Sequence, residues 1–334
     1  MKNTLNIFYT RQVREYGILT PDLKAMIEKV DRRIKIVDVS PLVAKDNLGD
    51  KAAKKELDAI LAESEIMYGF PMPKDLLLRA PKLKWIQSPL AGADAFMTKE
   101  FLAGQVVLTN SRGIADQVAE AAFMLAMAVS KKLPAYLENK KTHLWKQYSP
   151  VALSGKILGV IGLGHIGSHV AQVGKAFRMK VIATEIKKMR KPDYIDILLK
   201  EEDLDILLRT CDFLIIAIPL TKATTGYIGK AELALLKPSA YLINVARGGL
   251  IDQSALVQVL KEGKIAGAGL DVYQEEPLPA SSPLWDLPNV VLTPHIAGLR
   301  EDYDLLAAKL FCGNLKRYLA GRKLINIVDK EKGY

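Results

Sequence analysis

Three side chains far apart in the sequence carry the groups for acid–base chemistry on a small acid: Arg247, Glu276 and His295. An arginine grips a carboxylate bidentately and polarises a carbonyl beside it. A histidine gives or takes a proton near neutral pH. A neighbouring carboxylate orients the imidazole and favours its charged form, which keeps a proton available for carbonyl reduction. Each residue alone also has an ordinary explanation. Arg247 could bridge or cap at a surface, Glu276 adjoins Glu275 in an acidic loop, and the Pro294-His295 turn could be structural. The chain holds only four histidines, so His295 has few competitors.

A second set of residues reads as a grip for phosphate. The run Lys156-Ile-Leu-Gly-Val-Ile-Gly-Leu-Gly-His-Ile-Gly167 is a short apolar strand ending in Gly162, Gly164 and Gly167, followed by helical spacing. In a dinucleotide fold the first glycine makes the tight turn, the second lets backbone approach a pyrophosphate, and the third lets the helix pack close to the strand. The helix N-terminus then offers free N–H groups and its positive end. A second strand, Lys180 to Thr184, ends at Glu185. That acid lies roughly 20 residues beyond the glycines, where a carboxylate accepts from a ribose 2′-hydroxyl. Glycine turns are common, and it is the order strand, glycines, helix, strand, acid that points to a dinucleotide. With a nicotinamide in place, Arg247, Glu276 and His295 form a set suited to hydride transfer to a 2-oxo acid.

The elements that must position these residues alternate between strand and helix. Strands are expected at Leu5–Tyr9, Ile34–Val39, Glu65–Tyr68, Lys84–Gln87 and Val106–Thr109. Others follow at Phe213–Ile218, Ala240–Val245, Ala266–Leu270 and Val290–Thr293. Arg247, Glu276 and His295 each lie just past a strand's carboxyl end or in the loop beyond, and in an open α/β sheet such ends converge on one crevice. The turn-rich Ser88-Pro-Leu-Ala-Gly-Ala-Asp94 lies at a similar place. Ala115–Leu133 reads as a nearly all-round apolar helix, hence buried in a core or an interface. Residues 134–155 read as a surface excursion. The fold class is therefore α/β, with two doubly wound parallel-sheet domains.

Composition narrows the partners. The chain has 334 residues, 49% of them hydrophobic, which suits about two domains. The net charge of +10 is spread out, with small clusters such as Lys131-Lys132, Lys140-Lys141 and Lys187-Lys188. No metal-ligand spacing, basic tail or aromatic RNA-binding signature appears, so no metal and no nucleic acid is expected, and an anionic substrate or cofactor accounts for the charge. Cys211 and Cys312 are too few and too far apart for a disulfide framework, which fits a reducing cytoplasm. The chain starts on a polar Met-Lys-Asn-Thr with no signal-like block, and no apolar run is long enough to span a membrane.

Four motifs in order make the chain recognisable: Gly162-Leu-Gly-His-Ile-Gly167, Asn244-Val-Ala-Arg-Gly-Gly249, Gly269-Leu-Asp-Val-Tyr-Gln-Glu-Glu-Pro277 and Pro288-Asn-Val-Val-Leu-Thr-Pro-His-Ile-Ala-Gly298. Over nearly its whole length the chain resembles the D-isomer-specific 2-hydroxyacid dehydrogenases. The resemblance implies a Rossmann cofactor domain, residues 107–299, inserted into a flavodoxin-like substrate domain made of residues 1–106 and 300–334. It implies that Arg247 holds the substrate, that His295 is the general acid/base, and that Glu276 is its partner. It implies that the backbone of Leu90, Ala91 and Gly92 binds the substrate carboxylate, and that Asp271 lies near the nicotinamide carboxamide. Gly162, Gly164, His165, Ile166, Gly167, Glu185, Pro219, Thr225, Ala246, Arg247, Asp271 and His295 are thereby expected around the dinucleotide. The implied partners are a small anionic 2-oxo or 2-hydroxy acid and a second copy of the chain, with Ala135–Tyr148 as a dimer arm. Two departures, Arg178 within Phe177-Arg-Met179 and Ala217 in the strand before Pro219, do not touch the catalytic set. Glu185 should repel a 2′-phosphate while Lys187, Lys188 and Arg190 would attract one, so NAD is expected with NADP possible. Formate enzymes of this fold carry Gln where Glu276 stands. A dinucleotide-sensing corepressor-like protein would keep the same residues and lack turnover.

Overall fold

The structure, a computed structural model, describes residues 4–11, 19–186 and 189–334. Contacts divide the chain into two compact units, Met1–Gly113 with Arg300–Tyr334, and Ile114–Leu299. The first unit holds β1 (Leu5–Arg11), β2 (Ile34–Asp38), β3 (Ile66–Phe70), β4 (Trp85–Gln87) and β5 (Val107–Thr109) in one parallel sheet of order β2-β1-β3-β4-β5. This is the flavodoxin-like order. Residues 107–109 were expected with the cofactor domain. They instead pair with β4, from Val107 opposite Trp85 to Thr109 opposite Gln87, because a strand this short needs that ladder to satisfy its backbone. The contact division falls at 113/114, a few residues beyond the expected 106/107.

Helix Lys51–Ala62 starts on Asp50, whose side chain accepts from the Ala52 and Ala53 N–H groups, and it buries Leu57 and Leu61. The last helix, Tyr303–Leu319, buries Phe311 and Leu315 in one cluster with Ile7, Tyr68 and Trp85. Phe311 stacks on Tyr68 with ring centroids 4.3 Å apart. Beyond that helix, Ile327 bridges Thr109 in the antiparallel sense and the Val328 N–H donates to the Leu108 carbonyl. The returning segment therefore covers the open edge of β5.

The second unit holds β6 (Ile157–Ile161), β7 (Lys180–Thr184), β8 (Ile197–Leu199), β9 (Phe213–Ile216), β10 (Tyr241–Asn244), β11 (Gly267–Leu270) and β12 (Val290–Leu292). The order is β12-β11-β10-β9-β6-β7-β8, all parallel. Sequence order reverses between β6 and β9, which makes that gap the topological switch point. Side chains alternate between faces along a strand. In β9, Phe213 and Ile215 join the core under helices Ala115–Ser130 and His165–Ala176, while Leu214 and Ile216 join the core under Leu204–Thr210 and Gln253–Lys261. Both faces are covered, which is why these strands read as continuous apolar runs. Helix Ala115–Ser130 takes the core role, with Val118, Ala122, Phe123, Leu125 and Ala126 buried. It stops short of the expected Leu133. Lys132 is left-handed (φ 61°) and a separate helix, Leu133–Lys141, begins after it. Residues 133–148 expose much apolar surface, including Leu137, Leu144 and Trp145. Among the described residues no helix is long and apolar enough to cross a membrane.

Candidate active site

Along the second sheet the expected residues follow the strand order. His295 lies beyond β12, Asp271 beyond β11, Ala246 and Arg247 beyond β10, Pro219 beyond β9, Gly162 beyond β6 and Glu185 beyond β7. All of them sit at carboxyl ends of parallel strands, flanking the switch point. The glycine turn is built tightly. Gly162 has φ +90°, and a Cβ on Gly167 would lie 1.9 Å from the Gly162 carbonyl oxygen, so only glycine lets the helix start this close to β6. A Cβ on Gly164 would meet no protein atom. Gly164 caps helix His165–Ala176 without a side-chain bond. Glu185 Oε2 accepts from the Leu163 N–H at 2.9 Å, so the acid is bonded to the glycine loop itself. Lys187 and Lys188, expected to bear on cofactor choice, lie outside the described residues, and Arg190 is exposed.

The loop after β9 is pinned by its own threonines. Thr224 Oγ1 donates to the Pro219 carbonyl at 2.7 Å and Thr225 Oγ1 to Thr221 at 2.8 Å. The Gly226 N–H donates to the Gly249 carbonyl, which ties this loop to the Arg247 turn. That turn is bracketed by Asn244. Its amide donates to the Arg247 carbonyl at 2.9 Å and its oxygen accepts from the Ala246 N–H at 3.1 Å. The Arg247 guanidinium donates to the Ala246 carbonyl at 2.8 Å.

His295 and Glu276 meet directly, with His295 Nδ1 2.6 Å from Glu276 Oε2. The other carboxylate oxygen accepts from the Tyr273 N–H at 3.0 Å. Burial opposes ionisation of Glu276, but the bonds from His295 and Tyr273 and the charges of His295 and Arg247 more than offset it, and the carboxyl lies below the usual range. An ionised Glu276 requires the proton on Nδ1, which leaves Nε2 for exchange with a substrate. His295 is left-handed (φ 54°), a conformation that favours glycine. Asp271 holds it there. This carboxylate is 1% exposed and accepts from Thr293 Oγ1 at 2.6 Å, Ile296 N at 2.9 Å and Ala297 N at 2.8 Å, while the Asp271 carbonyl accepts from His295 N. The Tyr273 hydroxyl donates toward the Leu270 and Thr293 carbonyls, at 3.0 and 2.8 Å. Burial first, and then Asp271, push its ionisation far above the ordinary range, so it stays a donor.

In the first unit, Leu90, Ala91 and Gly92 form the loop after β4. Its carbonyls are engaged in series: Ser88 by Gln87 Nε2, Pro89 by the Tyr303 hydroxyl, Leu90 by the Ser111 N–H and Ala91 by Asn110 Nδ2. The Leu90 N–H donates to Ser88 Oγ. Among the described residues, nothing accepts from the Ala91 and Gly92 N–H groups. Asn244, Tyr273, Thr293, Asn110 and Tyr303 were not anticipated. Except for the Thr293 hydroxyl, which donates to the Asp271 carboxylate, they act through main-chain carbonyls and N–H groups, which leave no periodic or compositional trace in sequence.

The family model described as "D-isomer specific 2-hydroxyacid dehydrogenase, NAD binding domain" matches residues 123–297. A glyoxylate reductase of Thermococcus litoralis is 35% identical, over 97% of this chain and 97% of its own length. The NADPH-dependent glyoxylate/hydroxypyruvate reductase of Sinorhizobium meliloti, solved with NADP and sulfate, superposes with a TM-score of 0.82 at 27% identity, covering 99% of this chain and 100% of that one. The D-lactate dehydrogenase of Aquifex aeolicus, solved with NAD and lactic acid, gives a TM-score of 0.77 at 26% identity over 95% and 96%. With the strand-end row and its glycine turn, these likenesses lead to one conclusion: the chain belongs to the D-isomer-specific 2-hydroxyacid dehydrogenase family.

Proposed function

We propose that this enzyme interconverts a small 2-oxo acid, such as glyoxylate or hydroxypyruvate, and its D-2-hydroxy acid, using NAD(H) in preference to NADP(H). The observation that carries the reading is the 2.6 Å bond between His295 and an ionised Glu276 in a row of strand ends that also bears Arg247. The glycine turn, the open space at Gly164 and the Glu185 carboxylate fit a dinucleotide. When bound, a reduced nicotinamide supplies the hydride. Arg247 grips the carboxylate of the acid and polarises its carbonyl. His295 holds a proton at Nε2 for the carbonyl oxygen in reduction and takes it back in oxidation. Glu276 keeps the imidazole in the productive tautomer. In the first unit, the Ala91 and Gly92 N–H groups are donors suited to a carboxylate.

Glu185 supports NAD, since a carboxylate disfavours a 2′-phosphate. The exposed apolar residues Leu137, Leu144 and Trp145 support a homodimer formed through residues 135–148. Two buried, unpaired cysteines are in keeping with a cytoplasmic enzyme.

The test is oxidation of NADH and NADPH against glyoxylate, hydroxypyruvate, pyruvate, phenylpyruvate and 2-oxoisocaproate, with His295→Gln alongside. Turnover should fall roughly 10²- to 10⁴-fold in the variant, the usual share of a general acid. Full activity in His295→Gln would remove His295 from the mechanism. Silence of the wild type across the panel, with NADH still bound, would remove the reductase reading.

A further inference from the structure

The Tyr303 hydroxyl, at the start of the last helix, donates to the Pro89 carbonyl at 2.6 Å across 214 positions of sequence. Tyr303 is 9% exposed and its bond to Pro89 is part-buried, which limits competition from water. Pro89 directly precedes the loop whose Ala91 and Gly92 N–H groups have no acceptor among the described residues. Its neighbours are held equally firmly: the Ala91 carbonyl by Asn110 Nδ2 at 2.6 Å, the Ser88 carbonyl by Gln87 Nε2 at 3.0 Å, and the Leu90 N–H by Ser88 Oγ at 3.1 Å. Four consecutive carbonyls turned to the protein leave the loop's remaining N–H groups as its outward polar face. Successive N–H groups presented together form a concavity for an anion. Each peptide plane carries a carbonyl and the next residue's N–H: the Ala91 N–H lies in the plane whose Leu90 carbonyl Ser111 holds, the Gly92 N–H in the plane whose Ala91 carbonyl Asn110 holds, and the Pro89 carbonyl lies with the Leu90 N–H in the plane where the loop begins.

We propose that Tyr303 is a positioning residue for substrate carboxylate, acting through the Pro89 carbonyl to anchor the start of the loop that presents the Ala91 and Gly92 N–H groups. The inference rests on the reductase reading above. It assigns the start of the last helix a role in substrate affinity rather than in chemistry. Removing the hydroxyl leaves the Pro89–Leu90 peptide held on its N–H side alone, by Ser88 Oγ, so the loosened loop must be ordered when substrate binds, and that cost falls equally on ground state and transition state. A loss of uniform binding of this kind raises KM and leaves kcat alone.

The experiment compares the wild-type enzyme, Tyr303→Phe and Tyr318→Phe on glyoxylate and hydroxypyruvate at saturating NADH, together with NADH binding by fluorescence and thermal unfolding. Tyr303→Phe keeps the buried ring and should fold. Tyr318 lies on the same helix, and its hydroxyl meets Glu65 Oε2 at 3.3 Å, away from the loop, so it controls for loss of a phenol bond as such. Tyr303→Phe should raise KM roughly 3- to 10-fold, with kcat and the NADH dissociation constant within about twofold of wild type. Tyr318→Phe should leave KM unchanged. Ser88→Ala, which loses the acceptor of the Leu90 N–H, should raise KM in the same direction. An unchanged KM in a folded Tyr303→Phe enzyme overturns the proposal, as does an equal rise in Tyr318→Phe or a parallel fall of kcat and NADH affinity. Wild-type silence toward every 2-oxo acid removes the reductase reading and this inference with it, whereas wild-type turnover with an indifferent Tyr303→Phe removes the inference alone.

Discussion

His295 occupies a backbone conformation that costs a residue with a Cβ roughly 1–2 kcal/mol. The return is an imidazole aimed at Glu276, whose two oxygens are taken by His295 Nδ1 and the Tyr273 N–H. Because its carboxyl lies below the usual range, the folded state holds the ionised form more strongly than the unfolded chain does. The stability that follows is fully present above the unfolded glutamate value of about 4.3 and is lost as pH falls through the lower folded value. Glu276→Gln should therefore flatten the fall of the denaturation midpoint on acidification below about pH 4.3. Parallel pH profiles of wild type and variant would count against an ionised Glu276. Glu185 works differently. Its bond to the Leu163 N–H places the carboxylate on the glycine loop. Glu185→Ala should narrow the ratio of kcat/KM for NADH over NADPH, and an unchanged ratio would show that cofactor choice lies elsewhere.

The element that carries His295 is a turn, residues 293–297, built on a single buried carboxylate. Asp271 was expected beside the nicotinamide carboxamide; its oxygens accept one hydroxyl and two N–H groups of this turn. Asp271→Asn would face the Ala297 N–H with an amide donor in one rotamer and lose the charge in either. The expected cost is about 1–3 kcal/mol of stability, with a fall in kcat as His295 is released. A variant with wild-type unfolding and kcat would deny the turn this dependence. The contrast marks how far sequence reaches. Strand ends, the glycine turn and helix spacing were legible because they rest on periodicity and on residues with few conformational options. The three-residue β8 and the helix Leu204–Thr210 were missed, being too short to show a period. Strand β5 was recognised but placed in the wrong unit, since a short apolar run does not name its ladder partner. His295, Glu276 and Arg247 were found because their chemistry is scarce, while Asn244, Tyr273 and Tyr303 hold carbonyls and look ordinary until the chain is folded.

At the scale of the molecule the first unit is discontinuous. Its sheet comes from residues 5–109, yet Phe311 and Leu315 complete one core cluster and Val328 another. The second unit is one uninterrupted stretch, Ile114–Leu299, with its own two cores. A chain ending at Leu299 should therefore still bind NADH, while residues 1–113 become open to limited proteolysis. Persistent protection of those residues would show that the sheet needs no closing helix. The interruption also has a timing. The ribosome adds residues at roughly 5–20 per second, so the intervening 186 residues take roughly 10–40 s to emerge. Throughout that interval the apolar face awaiting Phe311 and Leu315 is exposed on a nascent chain whose second unit already has all its sequence for folding. The first unit thus has all its sequence only after the second has all of its own, an order of completion set by the arrangement of segments along the messenger.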